Sequence, residues 1–289
     1  GVILGGAGSN VIKTGASTVV FNGQNTYQGT TTVNNGILAL GTNVSADPTV
    51  AGALGRSDTP VLFGNAGTNT GGKLALAAQI SMDRDLIFQA VNGTGTFNLR
   101  GQTVNNSAVT GGIFITAAQT VQVDQVATGQ GTFRGGVLDL AGPITGGGAV
   151  QIGNTNVQGT VRLSANSNGF GTSTYTGGTT LQAGRLQIGS DAYFTGTTAA
   201  PTIISGPLGT GTLTFGVGNA GAGGAIEAFG GARTIVNALG TWAGDQANFV
   251  TFTGRNSLTF TRDLNISAAA AIQSRNFTVS QTQGVVTFS

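Results

Sequence analysis

The sequence predicts an all-β chain of the solenoid type, in which successive turns of one polypeptide stack as a parallel β-helix. Three observations predict it. Residues 26–41 and 174–189 share eight of sixteen positions, so a strand–turn–strand unit recurs far along the chain. Short apolar–polar runs bounded by glycine or asparagine fill most of the remainder. Only 8% of the residues are charged, against about 25% in an ordinary globular domain.

The strands follow in order. Thr18-Val19-Val20-Phe21, Ile37-Leu38-Ala39-Leu40, Gly112-Ile113-Phe114-Ile115, Val137-Leu138-Asp139-Leu140, Thr160-Val161-Arg162-Leu163, Ser257-Leu258-Thr259-Phe260 and Val285-Val286-Thr287-Phe288 are all rich in β-branched or aromatic side chains. Only Leu74 to Ile80 and Ala268 to Arg275 have a helical look. Elsewhere the 51 glycines interrupt too often, each costing a helix about 1 kcal/mol. Strands this short, with few hairpin-turn dipeptides, suit a sandwich or barrel poorly. A stack of coils accommodates them, because its corners need Gly or Asn at positive φ. Its inward side chains form ladders of Val, Leu, Ile and Phe. Outward Thr, Asn and Ser stack on themselves at about 4.8 Å, where like charges would repel. Coils of roughly 20–25 residues would number about a dozen, giving a rod on the order of 60 Å long.

The duplication extends past the opening motif. Ala53-Leu54-Gly55, Val61-Leu62-Phe63-Gly64, Asn65-Ala66-Gly67 and Gly71-Gly72-Lys73-Leu74 are answered by Pro207-Leu208-Gly209, Leu213-Thr214-Phe215-Gly216, Gly218-Asn219-Ala220-Gly221 and Gly223-Gly224-Ala225-Ile226. Arg84-Asp85-Leu86 returns in style as Arg262-Asp263-Leu264. The expectation is one continuous solenoid over 1–289, built of two tandem units at about 10–150 and 150–289.

Composition excludes several kinds of chemistry. The net charge is +2 and the arginines are scattered singly, so no basic track follows a phosphate backbone and nucleic acid is not expected as a partner. Without cysteine or histidine the chain builds no disulfide, thiol nucleophile, Ser-His-Asp triad or ordinary zinc site. No stretch of eighteen apolar residues supplies a membrane-spanning helix. Gly1 to Gly5 lacks the features of a signal peptide, and the absence of an initiator Met at Gly1 fits a processed, exported segment. Gly67 to Lys73 has a phosphate-loop outline, but Leu74 stands where a Ser or Thr hydroxyl must hold Mg²⁺, so a turn is expected there.

The acidic residues offer little more. Asp83-Arg84-Asp85 is the densest charge cluster. It could serve Ca²⁺ or a polysaccharide-lyase cleft, but calcium needs more oxygen ligands than two carboxylates supply. The expectation is a strand whose carboxylates share one face and neutralise Arg84 or a neighbouring coil. Asp124, Asp139, Asp191 and Glu227 could pair for glycoside hydrolysis, though nothing in the sequence brings two of them together. Tyr27 and Tyr175 occupy equivalent motif positions, which favours packing over sugar stacking, and Trp242 reads as partial core. No catalytic, cofactor-binding or metal-binding residue is assigned, and no cofactor is expected.

The stretch Lys13-Thr14-Gly15-Ala16-Ser17-Thr18-Val19-Val20-Phe21-Asn22-Gly23-Gln24-Asn25-Thr26-Tyr27-Gln28-Gly29, continuing to Gly41, resembles the autotransporter-associated β-strand repeat. The second copy keeps Ser167 to Gly189 without the Lys-Thr-Gly opening. The shared positions are Thr26, Tyr27, Gly29, Thr31, Thr32, Gly36, Leu38 and Gly41, matched by Thr174, Tyr175, Gly177, Thr179, Thr180, Gly184, Leu186 and Gly189. The resemblance implies a right-handed parallel β-helix in a secreted, extracellular or cell-surface bacterial protein, and a scaffold role for these residues. No translocator barrel is expected within these 289 residues. The apolar segments Gly1-Val2-Ile3-Leu4 and Gly284 to Phe288 lack charged caps, so the leading expectation is a structural subunit whose copies stack head to tail through terminal strands. An adhesin that binds surface glycans is the alternative, and a polysaccharide lyase or hydrolase comes last.

Overall fold

The computed structural model describes residues 1–64, 71–89, 96–102, 105–125, 136–154, 159–216, 223–240, 249–264 and 276–289. Among these the regular structure is entirely β, and the long ladders are all parallel. Each coil contributes one short strand to each of three faces. Leu86–Phe88, Thr96–Gly101 and Ser107–Val109 form one such coil, and Ile113–Ile115, Thr120–Gln125 and Val137–Leu140 form the next.

The first face has six strands, from Val11–Lys13 to Ile144–Gly146, and a three-stranded ladder of Arg233–Ile235, Leu258–Phe260 and Val286–Phe288 follows late in the chain. The second face has eight strands, from Thr18–Phe21 to Leu213–Phe215, and the third has eight, from Ser81–Met82 to Asn276–Gln281. The result is a β-solenoid in which the second face alone spans eight coils. The dozen coils expected from the sequence assumed turns that are too short. Register advances from Val11 to Thr31 in one step, but from Thr31 to Val61 in the next and from Arg185 to Ala225 later. Residues held in corners lengthen each turn without adding rungs.

Alternation of side chains along each strand builds the interior. On the second face Leu38, Leu74, Leu99, Val123, Ile152, Leu181 and Phe215 lie in register, each buried. On the third, Leu138, Val161, Leu186, Ile226 and Phe252 do the same. Phenylalanines stack at the coil spacing, with ring centroids 4.8 Å apart for Phe63 and Phe88 and 5.0 Å for Phe260 and Phe288. Burying one such side chain contributes about 1.5–3 kcal/mol. Leu74 to Ile80, the segment with a helical look, is a strand end at Leu76 followed by a turn. Ala268 to Arg275 lies outside the described residues.

Two antiparallel hairpins leave the stack. Asn166–Ser167 pairs with Phe170–Gly171, and Tyr193–Thr197 pairs with Ala200–Ser205. Asn168 and Gly169 both have positive φ, 52° and 86°, the conformation in which an Asn-Gly pair matches the twist of a tight hairpin. No helix among the described residues is long and apolar enough to cross a membrane.

Candidate functional site

The repeated motif folds into a corner joining two faces. Tyr27 and Tyr175 are fully buried, and each phenol meets a threonine hydroxyl four residues on, Thr31 at 2.7 Å and Thr179 at 2.5 Å. Desolvation pushes both phenols above their ordinary pKa, opposed by the threonine hydrogen bond. The next coil covers each ring with a glycine. Gly55 has φ 73° and Gly209 has φ 64°, and a methyl group on either would overlap the tyrosine's carbonyl and ring. The following amides close the corner, from Arg56 to the Tyr27 carbonyl at 2.8 Å and from Thr210 to the Tyr175 carbonyl at 2.9 Å.

The other shared positions have related settings. The Thr26 amide donates to the Ile3 carbonyl and the Thr174 amide to the Ile144 carbonyl. Gly29 and Gly177 press against the backbone of the preceding coil, bonding Ser9 and Gly148. Thr32 and Thr180 point outward between buried neighbours. Gly36 and Gly184 turn at φ 74° and 76°. Leu38 and Leu186 enter the core, while Gly41 and Gly189 end the second strand of the motif with amides bonded to Phe21 and Leu163.

The two copies do not share an azimuth. Thr31–Val33 and Ile37–Leu40 lie on the first and second faces, whereas Thr179–Leu181 and Gly184–Ile188 lie on the second and third. The motif is therefore a transferable corner rather than a fixed position on the coil. Its opening lysine has a physical task. Lys13 is buried and donates from Nζ to the carbonyls of Thr14, Gly15 and Asn35 at 2.9, 2.6 and 2.9 Å.

The acidic candidates separate. Asp83-Arg84-Asp85 is a corner between Ser81–Met82 and Leu86–Phe88 rather than a strand. The Asp83 carboxylate accepts from Thr110 Oγ1 and the Asp85 carboxylate accepts from the Gly112 amide at 2.6 Å, both on the next coil. Arg84 points the other way, buried, donating to the Leu54 and Ser45 carbonyls at 2.7 and 3.1 Å. Burial lowers its pKa. Asp139 and Glu227 share the third face, in the row Asp139, Arg162, Gln187, Glu227. Three steps of about 4.8 Å put them roughly 14 Å apart, beyond the ~9.5 Å limit of a glycosidase pair. A hydrogen-bonded chain fills the gap, with Arg162 donating to Asp139 and Gln187, Gln187 donating to Glu227, and the Arg162 guanidinium 3.5 Å over the Phe229 ring. Asp191 pairs with Arg233 at 3.4 Å and accepts from the Thr234 amide.

Asp124 stands apart. It is fully buried although it lies on the outward row of the second face, beside Arg100. Arg100 grips it from Nε at 2.5 Å and from Nη2 at 3.1 Å, while Asn98 and Gln122 donate at 2.8 and 2.7 Å. These side chains line a groove of about 300 Å³ with Lys73, Ala75 and Asn154. Sequence reasoning missed the cluster because Arg100 and Asn98 lie 24 and 26 residues from Asp124, and only Gln122 is its near neighbour along the strand. Among the described residues no group of three His, Cys, Asp or Glu is placed to hold a metal ion. Trp242 and residues 67–70 of the glycine-rich turn lie outside the described residues.

A family model described as the passenger-associated-transport-repeat matches residues 11–40 and 158–188. The chain carries two copies of this passenger repeat. The second match starts before Ser167 because the Thr160–Leu163 strand belongs to it. The Asn166–Gly171 hairpin separates that strand from its tyrosine corner. No curated protein and no solved structure matches the chain. The repeats and the β-solenoid together fit an autotransporter passenger domain.

Proposed function

We propose that the chain is a non-catalytic, rigid spacer of a passenger displayed outside a bacterial cell, and that copies stack end to end into filaments or arrays. The observation that carries this reading is the state of the inward rungs at the two ends. Val19 is in register with the fully buried Leu38 yet is 39% exposed, and Phe288 is in register with the fully buried Phe260 yet is 41% exposed. Val279, opposite the buried Phe252, is 56% exposed. Unpaired strand edges backed by apolar rungs accept a further coil, whether from the same polypeptide or from another copy. A head-to-tail contact of this kind propagates instead of closing. The buried tyrosines serve the spacer as corner posts, which removes them as sugar-stacking platforms.

Electron microscopy and sedimentation over a concentration series test the proposal. Filaments whose length grows with concentration, and which disappear in Val19→Asp and Val279→Asp variants that keep their far-UV spectrum, are the expected result. Isolated rods at every concentration would overturn it.

A further inference from the structure

The groove on the second face has a construction that packing alone does not require. Its floor comes from Ala75, a small buried side chain flanked in register by Ala39 and Arg100. Its wall is the neighbouring outward row, Lys73, Asn98 and Gln122. Farther along that row Gln151, Thr180 and Thr214 continue with neutral side chains, so the face can be built without a buried carboxylate. Burying an ion pair adds little to stability compared with apolar residues of the same volume. What it does supply is orientation. Asn98 and Gln122 both spend an amide N–H on Asp124 Oδ2, at 2.8 and 2.7 Å, and Asn154 donates to the same oxygen at 3.4 Å. Tethering the nitrogens leaves the amide oxygens of Asn98 and Gln122 as fixed acceptors along the groove, the arrangement of a preorganised binding surface on rigid strands.

The charges complete the description. Asp124 is answered by Arg100. Lys73 is exposed, lines the groove and has no hydrogen-bond or ion-pair partner among the described residues. A fitting ligand therefore offers hydroxyl donors to a row of amide oxygens and one anionic group to an ammonium. The volume of about 300 Å³ is at the small end for ligand pockets and suits one ring of a longer chain. We infer that this groove binds an acidic saccharide, with a uronate-type ring over Ala75, its carboxylate on Lys73 and its hydroxyls on Asn98 and Gln122. The site is independent of end-to-end stacking.

Isothermal titration of the full chain with trigalacturonate, with maltotriose as the neutral probe, tests the assignment. Trigalacturonate is expected to bind with an affinity that falls as salt rises, and maltotriose to bind at least about tenfold more weakly, the scale of one charge-assisted hydrogen bond. Lys73→Ala should weaken trigalacturonate about tenfold and Lys73→Glu should abolish it, with melting temperatures unchanged because Lys73 is exposed. Asn98→Ala should weaken both sugars together. No heat with trigalacturonate at millimolar concentration, equal binding of the two sugars, or undiminished binding by Lys73→Glu would each overturn the site while leaving filament formation untouched.

Discussion

The two copies of the repeat have the same corner and different surroundings. Tyr27 and Tyr175 are both buried, bonded to a threonine and covered by a left-handed glycine. Yet Tyr27 lies on the corner that enters the first face at Thr31–Val33, and Tyr175 lies one face farther round, on the corner that enters the second face at Thr179–Leu181. The first copy adds the Lys13 clamp, while the second carries two hairpins in its place in the stack. The stretch from Gly189 to Gly209 is six residues longer than that from Gly41 to Gly55, and the excess is accommodated in Tyr193–Thr197 and Ala200–Ser205. The comparison teaches that the conserved part of the unit is the local turn chemistry, which any corner of a three-faced solenoid can use. Insertions are tolerated wherever the neck of the corner is re-tied, as when the Thr172 amide bonds the Ala165 carbonyl at 3.2 Å.

Tyrosine truncation should give the largest effect and the clearest contrast. Tyr175→Ala empties a buried aromatic site and is expected to cost about 3–5 kcal/mol, read as loss of hydrogen-exchange protection on both sides of Thr179. Tyr27→Ala should lose protection only in the first coils, because a solenoid frays from its ends. Equal, global loss in both variants would erase the distinction between end and middle. Lys13→Met comes next. It leaves three corner carbonyls without their cation and should cost about 1–3 kcal/mol, confined to the Val11–Ile37 coil and measured by the same exchange map.

Removal of the phenols should act less strongly and with a definite pH signature. Tyr27→Phe and Tyr175→Phe are each expected to cost about 0.5–1.5 kcal/mol at neutral pH. Both folded pKa values are raised by burial, whereas an unfolded tyrosine ionises near pH 10. The phenols' contribution is therefore complete below about pH 10 and is lost as pH rises through the folded values. Thermal melts of the wild type should fall more steeply above pH 10 than those of the double phenylalanine variant. The smallest effect belongs to the second copy's own addition. Tyr193 is 49% exposed and touches Phe170 edge-on at 5.7 Å, so Tyr193→Ala should change stability by about 1 kcal/mol or less.

The fold was legible because its determinants are local. Alternation in Ile37–Leu40 or Val137–Leu140 gives the inward rungs, and the recurrence of Thr-Tyr with its glycines gives the corners. The azimuth of each copy was not legible, since it depends on how many residues intervening turns absorb. The Asn166–Gly171 hairpin did leave a signal in Asn168-Gly169, but the same dipeptide recurs at Asn22-Gly23, Asn35-Gly36 and Asn92-Gly93, so it did not single out a hairpin. Asp83-Arg84-Asp85 was legible in part. Of the two expected partners for its carboxylates, Arg84 or a neighbouring coil, the structure has the neighbouring coil, while Arg84 bonds buried carbonyls that lie 30 and 39 residues away. The Asp124 cluster was invisible in one dimension, because Asn98 and Arg100 meet it only once coils are stacked in register.

That stacking is the claim everything rests on, and the absence of cysteine makes it directly testable. Thr120 pairs with Ala149 and Gln122 with Gln151 in parallel register, all four half-exposed and outward. Neighbouring strands about 4.8 Å apart are within the Cα separation of roughly 4.4–6.8 Å that a disulfide needs. Cysteine pairs at Thr120 with Ala149 and at Gln122 with Gln151 should oxidise readily. The crossed pairs, Thr120 with Gln151 and Gln122 with Ala149, should not. Efficient cross-linking of the crossed pairs in place of the straight ones would mean antiparallel strands and would contradict the solenoid.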